Sequence, residues 1–289
     1  MGLLDALKGL FSRGHDPREL ARRLGMMVED LSAVTPAYEA FEIHKLSGGT
    51  RHILAPEASF KELQRRVLRR ILGRLRAHDA AHGFERGRSI VTHARNHVGK
   101  ALVVRLDLKD FFPSTAEKRV KRYFRRIGWN GKAASILMSW CTWEGGLPQG
   151  APTSPRLANL VNRRLDARLA AYARSRRGTY TRYADDLTFS FDDERDVSVR
   201  NLVAVVTRIA REDGYVVHRR KKLHIMRRHD RQIVTGLVVN ERVALPRSTR
   251  RWLRAVEHHV RTGAAASLTE EQLDGWRAFR RMIREQRGG

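Results

Sequence analysis

Cysteine is almost missing from this 289-residue chain: Cys141 stands alone, so no disulfide can close within it and no multi-cysteine zinc site can be built. A single thiol fits a reducing compartment and reads as core filler. No apolar run approaches the roughly 18 residues of a membrane helix, and no basic amphipathic anchor is evident. The opening MGLLDALKGLFSRGHD has an apolar stripe but no long hydrophobic stretch or small-residue cleavage site, which predicts a helix and not a signal peptide. Internal repeats and low-complexity linkers are lacking too. Acidic residues are scarce: 31 Asp plus Glu face 57 Lys plus Arg, a formal net charge of +26. Such a chain seeks a polyanion, and with membranes set aside that polyanion is nucleic acid. Hydrophobic residues at 42% still suffice for a sizeable core despite 30% charged residues.

What is present has a clear order. Apolar positions at helical spacing from residue 3 to 31, interrupted by Gly14 and Pro17, predict two helices. Phe41–Lys45, a Ser-Gly-Gly-Thr turn and Arg51–Leu54 read as a β-hairpin with basic residues on both arms. Residues 58 to 77 are amphipathic, with Leu63, Val67, Leu68, Ile71 and Leu75 on one face and arginines on the other, which either meet solvent or a phosphate backbone. A strand over Leu102–Leu108 ends in Asp107 before Pro113 stops it. Helices are expected at 116–127, 132–142, 154–174 and 196–213, strands at 179–183, 187–191, 215–218 and 232–239, and helices again at 250–261 and 270–286.

Tyr183-Ala184-Asp185-Asp186 carries the chemistry. Both flanks alternate as strands do, so two adjacent carboxylates stand at a hairpin tip, where they repel each other unless a cation relieves them. A solvated acidic turn is the plain alternative. Asp107, at the end of another strand, could join them in one sheet. Three converging carboxylates are what phosphoryl transfer by two metal ions requires, and magnesium suits an all-oxygen site.

The strings RLDLKDFFPS, GLPQGAPTSPRLANL and YTRYADDLTFS resemble the central palm motifs of reverse transcriptases, in the family's order, within a similarity running from about Phe41 to Gly236. RSIVTHARNHVGK and RQIVTGLVVN are similar to two signatures of bacterial retron reverse transcriptases, with His93 where the first asparagine of the former is usual. Thr153-Ser154-Pro155 points to retron or group II intron types. The absence of a maturase or endonuclease extension past about residue 287 points away from the intron type. The resemblance implies an α+β, right-hand polymerase fold: N-terminal helices at 1–35, fingers at 36–100, a palm of antiparallel strands backed by helices at 101–240 with a fingers insertion around 115–150, and a small helical thumb at 241–289.

By the same resemblance, Asp107, Asp185 and Asp186 hold two Mg2+ ions, for which Mn2+ could substitute, with the Leu108 carbonyl as an additional ligand. Phe112 is the steric gate against a 2′-hydroxyl, with core packing as its alternative role. Lys45 and Arg51 clamp the triphosphate, Asp110 lies near it, and Gln149 lies against the sugar. The motif lysine maps to Lys221 or Lys222, with Lys222 favoured, while Tyr183, His97, Val234, Thr235 and Gly236 meet primer or template. Implied partners are dNTPs, a structured noncoding RNA that is both template and primer, its DNA product and an effector protein, in the cytoplasm and away from membranes. Two rivals stay open: an intron-like or other defence-associated reverse transcriptase, and an RNA-binding scaffold with incidental activity.

Overall fold

The computed structural model describes residues 14–44, 49–218 and 223–287. The first expected helix falls on residues 1–13, and Lys45, Lys221 and Lys222 likewise lie outside the described residues. The chain divides into two compact units, one comprising residues up to His78 with Lys109–Arg164 and Arg211–Tyr215, the other Asp79–Leu108, Leu165–Ala210 and Val216 onward.

In the first unit, strand β1 (Tyr38–His44) pairs antiparallel with β2 (Thr50–Pro56), from Tyr38 opposite Pro56 to His44 opposite Thr50. The hairpin is longer than the sequence pattern suggests and largely exposed, Phe41 and Ile43 included. The amphipathic helix Ala58–Val67 runs into a π turn at Leu68–Leu72 and ends there, short of residue 77. The wider i→i+5 turn shifts the phase, so Leu72 is buried along with Ile71, while Leu68 and Leu75 do not become core. Helices Glu117–Arg126 and Gly131–Cys141 lie close to the expected ranges and bury Val120, Phe124, Leu137, Trp140 and Cys141. The thiol is core, as its isolation suggested, and burial pushes it up to about 12. Gln64, also fully buried, donates through Nε2 to Tyr38 Oη and the Trp140 carbonyl, both at 2.8 Å, which satisfies its amide nitrogen.

The second unit is built on a four-stranded antiparallel sheet in the order β4-β5-β3-β6, with β3 at Leu102–Asp107, β4 at Gly178–Tyr183, β5 at Asp186–Phe191 and β6 at His224–Arg227. Alternation divides it into two faces. Leu102, Val104, Leu106, Leu187, Phe189, Phe191 and Tyr180 form the apolar face, every one nearly inaccessible. Arg105, Asp107, Thr181, Tyr183, Asp186, Thr188 and Ser190 occupy the other face together with Val103. Val103 joins a hydrophobic cluster with Val91 and Ala94 of the helix Ile90–Arg95, Val234 and Leu237, and Leu253 and Ile283 from the terminal helices Arg247–Thr262 and Glu270–Gln286.

Two strand expectations change. Residues 215–218 supply only a single bridge, Val217 with Leu108, and the fourth strand is β6, which the sequence pattern missed. The 232–239 segment splits into β7 (Ile233–Val234) and β8 (Leu237–Val238), joined by Thr235 at φ 46° and Gly236 at φ 83°. Two positive φ values in a two-residue loop are the mark of a type I′ hairpin, which explains a glycine at this position. The mixed helix and antiparallel-sheet content agrees with the α+β expectation.

Candidate active site

The three acids gather at one end of the sheet. Asp107 and Asp186 are register partners across β3 and β5. The Leu108 N–H donates to the Asp185 carbonyl at 3.0 Å, which makes Asp107 and Asp186 a pair of the non-hydrogen-bonded kind, with Cα atoms about 4.5 Å apart and side chains at closest approach. Asp185 is in the two-residue tip between Tyr183 and Asp186, preceded by Ala184 at φ 56°. That conformation normally selects glycine, so the tip is held by its surroundings. Those surroundings include Gly83, where a Cβ would stand 2.9 Å from the Ala184 nitrogen, and Arg182, whose Nη1 donates to the Ala184 carbonyl at 3.0 Å.

Arg182 is itself fixed from behind. Its Nε and Nη2 donate to the two carboxylate oxygens of Asp166 at 2.8 and 2.7 Å, both side chains being completely buried. Tyr180 Oη adds a third donor at 2.9 Å. Burial, then the Asp166 charge, raise this phenol well above its ordinary value, so it stays a donor. The Arg182 backbone also bonds to Ala80 and His82, both at 2.7 Å.

Asp186 is engaged by Arg105, which sits on the same face two residues before Asp107. Arg105 Nε lies 3.2 and 3.1 Å from the two carboxylate oxygens, Nη2 also bonds to Oδ2, and Nη1 donates to the Ile233 carbonyl at 3.2 Å. Thr188 Oγ1 donates to Asp186 at 3.3 Å, while His218 Nε2 is 3.8 Å from Asp107 Oδ1. The donor set fits a hard divalent cation in chemistry: two carboxylates in register, a third one residue away, all oxygen. Among the described residues no group of three or more His, Cys, Asp or Glu side chains is already disposed as a metal site, in keeping with Asp186 being turned to Arg105.

The expected primer and template residues have varied positions. The Tyr183 ring is half-buried, 6.3 Å from Phe84 and 5.7 Å from His93. His97 departs from expectation: it is wholly buried, 2.7 Å from Ser190 Oγ and 2.6 Å from Thr181 Oγ1, so it braces β4 and β5 and presents no surface to nucleic acid. Val234 is equally buried in the hydrophobic cluster. Thr235 donates to the Ile90 carbonyl at 3.2 Å, and Gly236 is exposed. Burial lowers His97 to about 3 and His82 to about 4, and holds His93 well below the ordinary range. The terminal helices carry a cavity of about 460 Å³ lined by Arg250, Leu253, Arg254, Arg280, Ile283 and Arg284 among others.

In the first unit, the nucleotide candidates lie on three backbone segments tied to one another. The Leu54 N–H of β2 donates to the Gln149 carbonyl at 2.8 Å, and the Leu147 N–H donates to the Phe112 carbonyl at 3.2 Å. Gly146 and Pro113 are so close that a Cβ on Gly146 would meet the Pro113 oxygen at 2.0 Å. Phe112 is half-buried beside Phe111, with ring centroids 5.4 Å apart. Asp110 is exposed at φ 47°, 3.9 Å from Lys109 Nζ, and Arg51 is exposed on β2.

A family model described as reverse transcriptase (RNA-dependent DNA polymerase) matches residues 43–253. The chain belongs to the reverse transcriptase family. Its retron type follows from its relatives. It is 38% identical to the retron Ec86 reverse transcriptase of Escherichia coli, over 79% of this chain and 70% of that protein. It is also 38% identical to the retron Mx65 and 37% identical to the retron Mx162 reverse transcriptases of Myxococcus xanthus, each over 93% of this chain. The chain spans 63% and 64% of the length of these two. Among solved structures it is similar to apo telomerase from Candida tropicalis (TM-score 0.52, 14% identity, 72% of this chain and 55% of that one). Telomerase from Candida albicans in complex with a fragment of telomeric RNA is also similar (TM-score 0.50, 11% identity, 81% and 51%). At such identities these two speak for the right-hand polymerase fold alone. Reverse transcriptases generally use divalent metals. No described helix of this reverse transcriptase is long and apolar enough to cross a membrane.

Sequence reasoning did not single out Arg105, Arg182 or Asp166. For Arg105 a signal existed, since two-residue alternation puts it on the face of Asp107. Asp166 had none, because nothing in a helical sequence reveals a partner on a strand.

Proposed function

We propose that this chain is an RNA-directed DNA polymerase of retron type, copying part of a structured noncoding RNA into single-stranded DNA in antiphage defence. The observation that carries the reading is Asp107 in register with Asp186, with Asp185 one residue away at the hairpin tip. Asp107, Asp185 and Asp186, with the Leu108 carbonyl, would hold two Mg2+ ions, Mn2+ being a substitute. Bound there, the cations favour the ionised attacking hydroxyl and neutralise charge on the departing pyrophosphate. The hydroxyl oxygen bonds to the α-phosphate of a dNTP as the bond to pyrophosphate breaks, and the hydroxyl proton passes to solvent. Phe112 blocks a 2′-hydroxyl, Gln149 lies along the sugar, and Asp110 lies near the triphosphate. Arg51, Lys45 and Lys222 meet the triphosphate's charge, a guanidinium by two points. Tyr183 approaches the primer terminus and Thr235-Gly236 the RNA. His97 and Val234 act indirectly, through the strands they brace.

Within this reading residues 1–35 are N-terminal helices, 36–100 fingers, 101–240 palm with an insertion around 115–150, and 241–289 thumb. The +26 charge attracts the RNA. Synthesis starts from a guanosine 2′-hydroxyl, and the RNA–DNA product works with an effector protein in the cytoplasm. The test is to isolate the protein with its nucleic acid and treat it separately with RNase and DNase. A covalent RNA–DNA chimera is expected, and Asp185→Asn with Asp186→Asn should abolish the DNA while RNA stays bound. DNA made equally well by that double variant would overturn the reading.

A further inference from the structure

We propose that Arg105 is the resident counter-cation of the carboxylate cluster: its guanidinium competes with divalent cations for Asp186, and must release that carboxylate before a cation can be held there. The inference rests on the polymerase reading for the cluster's purpose, but its electrostatics stand on the geometry alone.

Three acids at one strand end repel one another, and burial sharpens the repulsion. Asp107 and Asp186 side chains are each only 17% exposed, and Arg105 is 22% exposed, so solvent screens little of the interaction. The guanidinium reaches diagonally across β3 and β5, meeting both Asp186 oxygens through Nε and Nη2. Its third nitrogen is anchored on the Ile233 carbonyl of β7. A side chain fixed at both ends is pre-organised for the acid, which a flexible surface cation is not. A cation binding Asp186 needs the same oxygen lone pairs. Removing the guanidinium should therefore tighten binding of a cation to the protein alone. In the presence of Arg105, stable loading would draw on further oxygens such as those of a triphosphate, the usual way Mg2+ is held at phosphate-transfer sites.

The test uses the full chain without nucleic acid or nucleotide, with Mn2+ as probe and free Mn2+ read by electron paramagnetic resonance. Arg105→Gln should bind Mn2+ roughly tenfold more tightly than wild type, equivalent to ~1.4 kcal/mol. Arg105→Lys, which keeps the charge but loses the two-point fork, should bind about threefold more tightly. In an Asp186→Asn background, Arg105→Gln should change nothing. Folded Arg105→Gln protein that binds Mn2+ no more tightly than wild type would overturn the proposal, as would an equal gain in the Asp186→Asn background. If the glutamine variant does not fold, the lysine variant decides by the same criterion. Primer extension by the wild type on an RNA template is run alongside: failure to extend refutes the polymerase reading, while the Mn2+ arms judge Arg105 separately.

Discussion

Replacing Arg182 with methionine isolates the support of the hairpin tip. In the native protein four groups converge there: the guanidinium grips both Asp166 oxygens, Tyr180 donates to the same acid, and the remaining nitrogen holds the Ala184 carbonyl. Arg182 and Asp166 are both wholly buried. Methionine fills most of the volume but leaves a buried carboxylate with one neutral donor, a loss of about 3–5 kcal/mol for breaking a buried ion pair from one side. Folding free energies are about 5–15 kcal/mol, so a large share of stability goes. At ~2–4 °C per kcal/mol the melting temperature should fall by roughly 10 °C. Adding Asp166→Leu removes the stranded charge, and most of the loss should return, short of ~1 kcal/mol for the Tyr180 hydroxyl left without its acceptor. Activity should not return with it, because neither variant restores the donor to Ala184. Urea and thermal denaturation of the two single variants and the double variant, followed by circular dichroism, supply the cycle. A single variant within about 1 kcal/mol of wild type, or a double variant no more stable than the singles, would refute the account.

Acid should destabilise the protein through its buried histidines. His82, His93 and His97 titrate below free imidazole chiefly because burial disfavours their charged forms. The unfolded chain thus takes up protons first. Their stabilising effect is complete above about pH 6.5 and is lost as pH falls, toward about 4 for His82 and about 3 for His97, by ~1.4 kcal/mol per pH unit per histidine; equal urea midpoints at pH 7.5 and pH 5 would contradict this. Gly146→Ala should destabilise by more than about 2 kcal/mol, since its Cβ would collide with the Pro113 backbone, which chemical denaturation can check. Phe112→Ala should let ribonucleotides be incorporated at rates nearer those of deoxynucleotides, measured as the ratio of kcat/KM values on one RNA template; an unchanged ratio would return Phe112 to a packing role.

Much of the placement of the three acids was legible because it depends on local rules. The alternation in LVVRLDL and in the two flanks of YADD forced Asp107 and Asp186 to strand ends, and only their register had to be seen. The β6 strand was hidden because His224-Ile225-Met226-Arg227 is mostly exposed and has no apolar alternation; it is a strand through its pairing with β3. Tyr215 and Val217 looked strand-like for the opposite reason, being buried without a ladder. His97 was assigned to nucleic acid from its motif, but the hydroxyls of Ser190 and Thr181 are what it serves, and those lie far away in sequence.

The two faces of the four-stranded sheet solve one electrostatic problem in two ways. Two arginines, Arg105 and Arg182, each meet a carboxylate with a two-point grip, but only one pair is closed to water. Asp166 can never exchange partners without exposing a charge to a dry interior, so that pair makes a rigid mount for the tip. Asp186 can exchange, because its side chain and that of Arg105 retain some access. A polymerase site needs both properties at once, geometry that does not drift and a carboxylate that can change partners. Opposite faces of the same sheet let Arg105 on β3 and Arg182 on β4 supply them without conflict. It follows that the arginines of this sheet should be counted apart from those that attract nucleic acid. Removing Arg182 should change stability with little effect on the salt dependence of RNA binding, whereas thinning the arginines around the cavity of the terminal helices should reduce that salt dependence with little effect on stability.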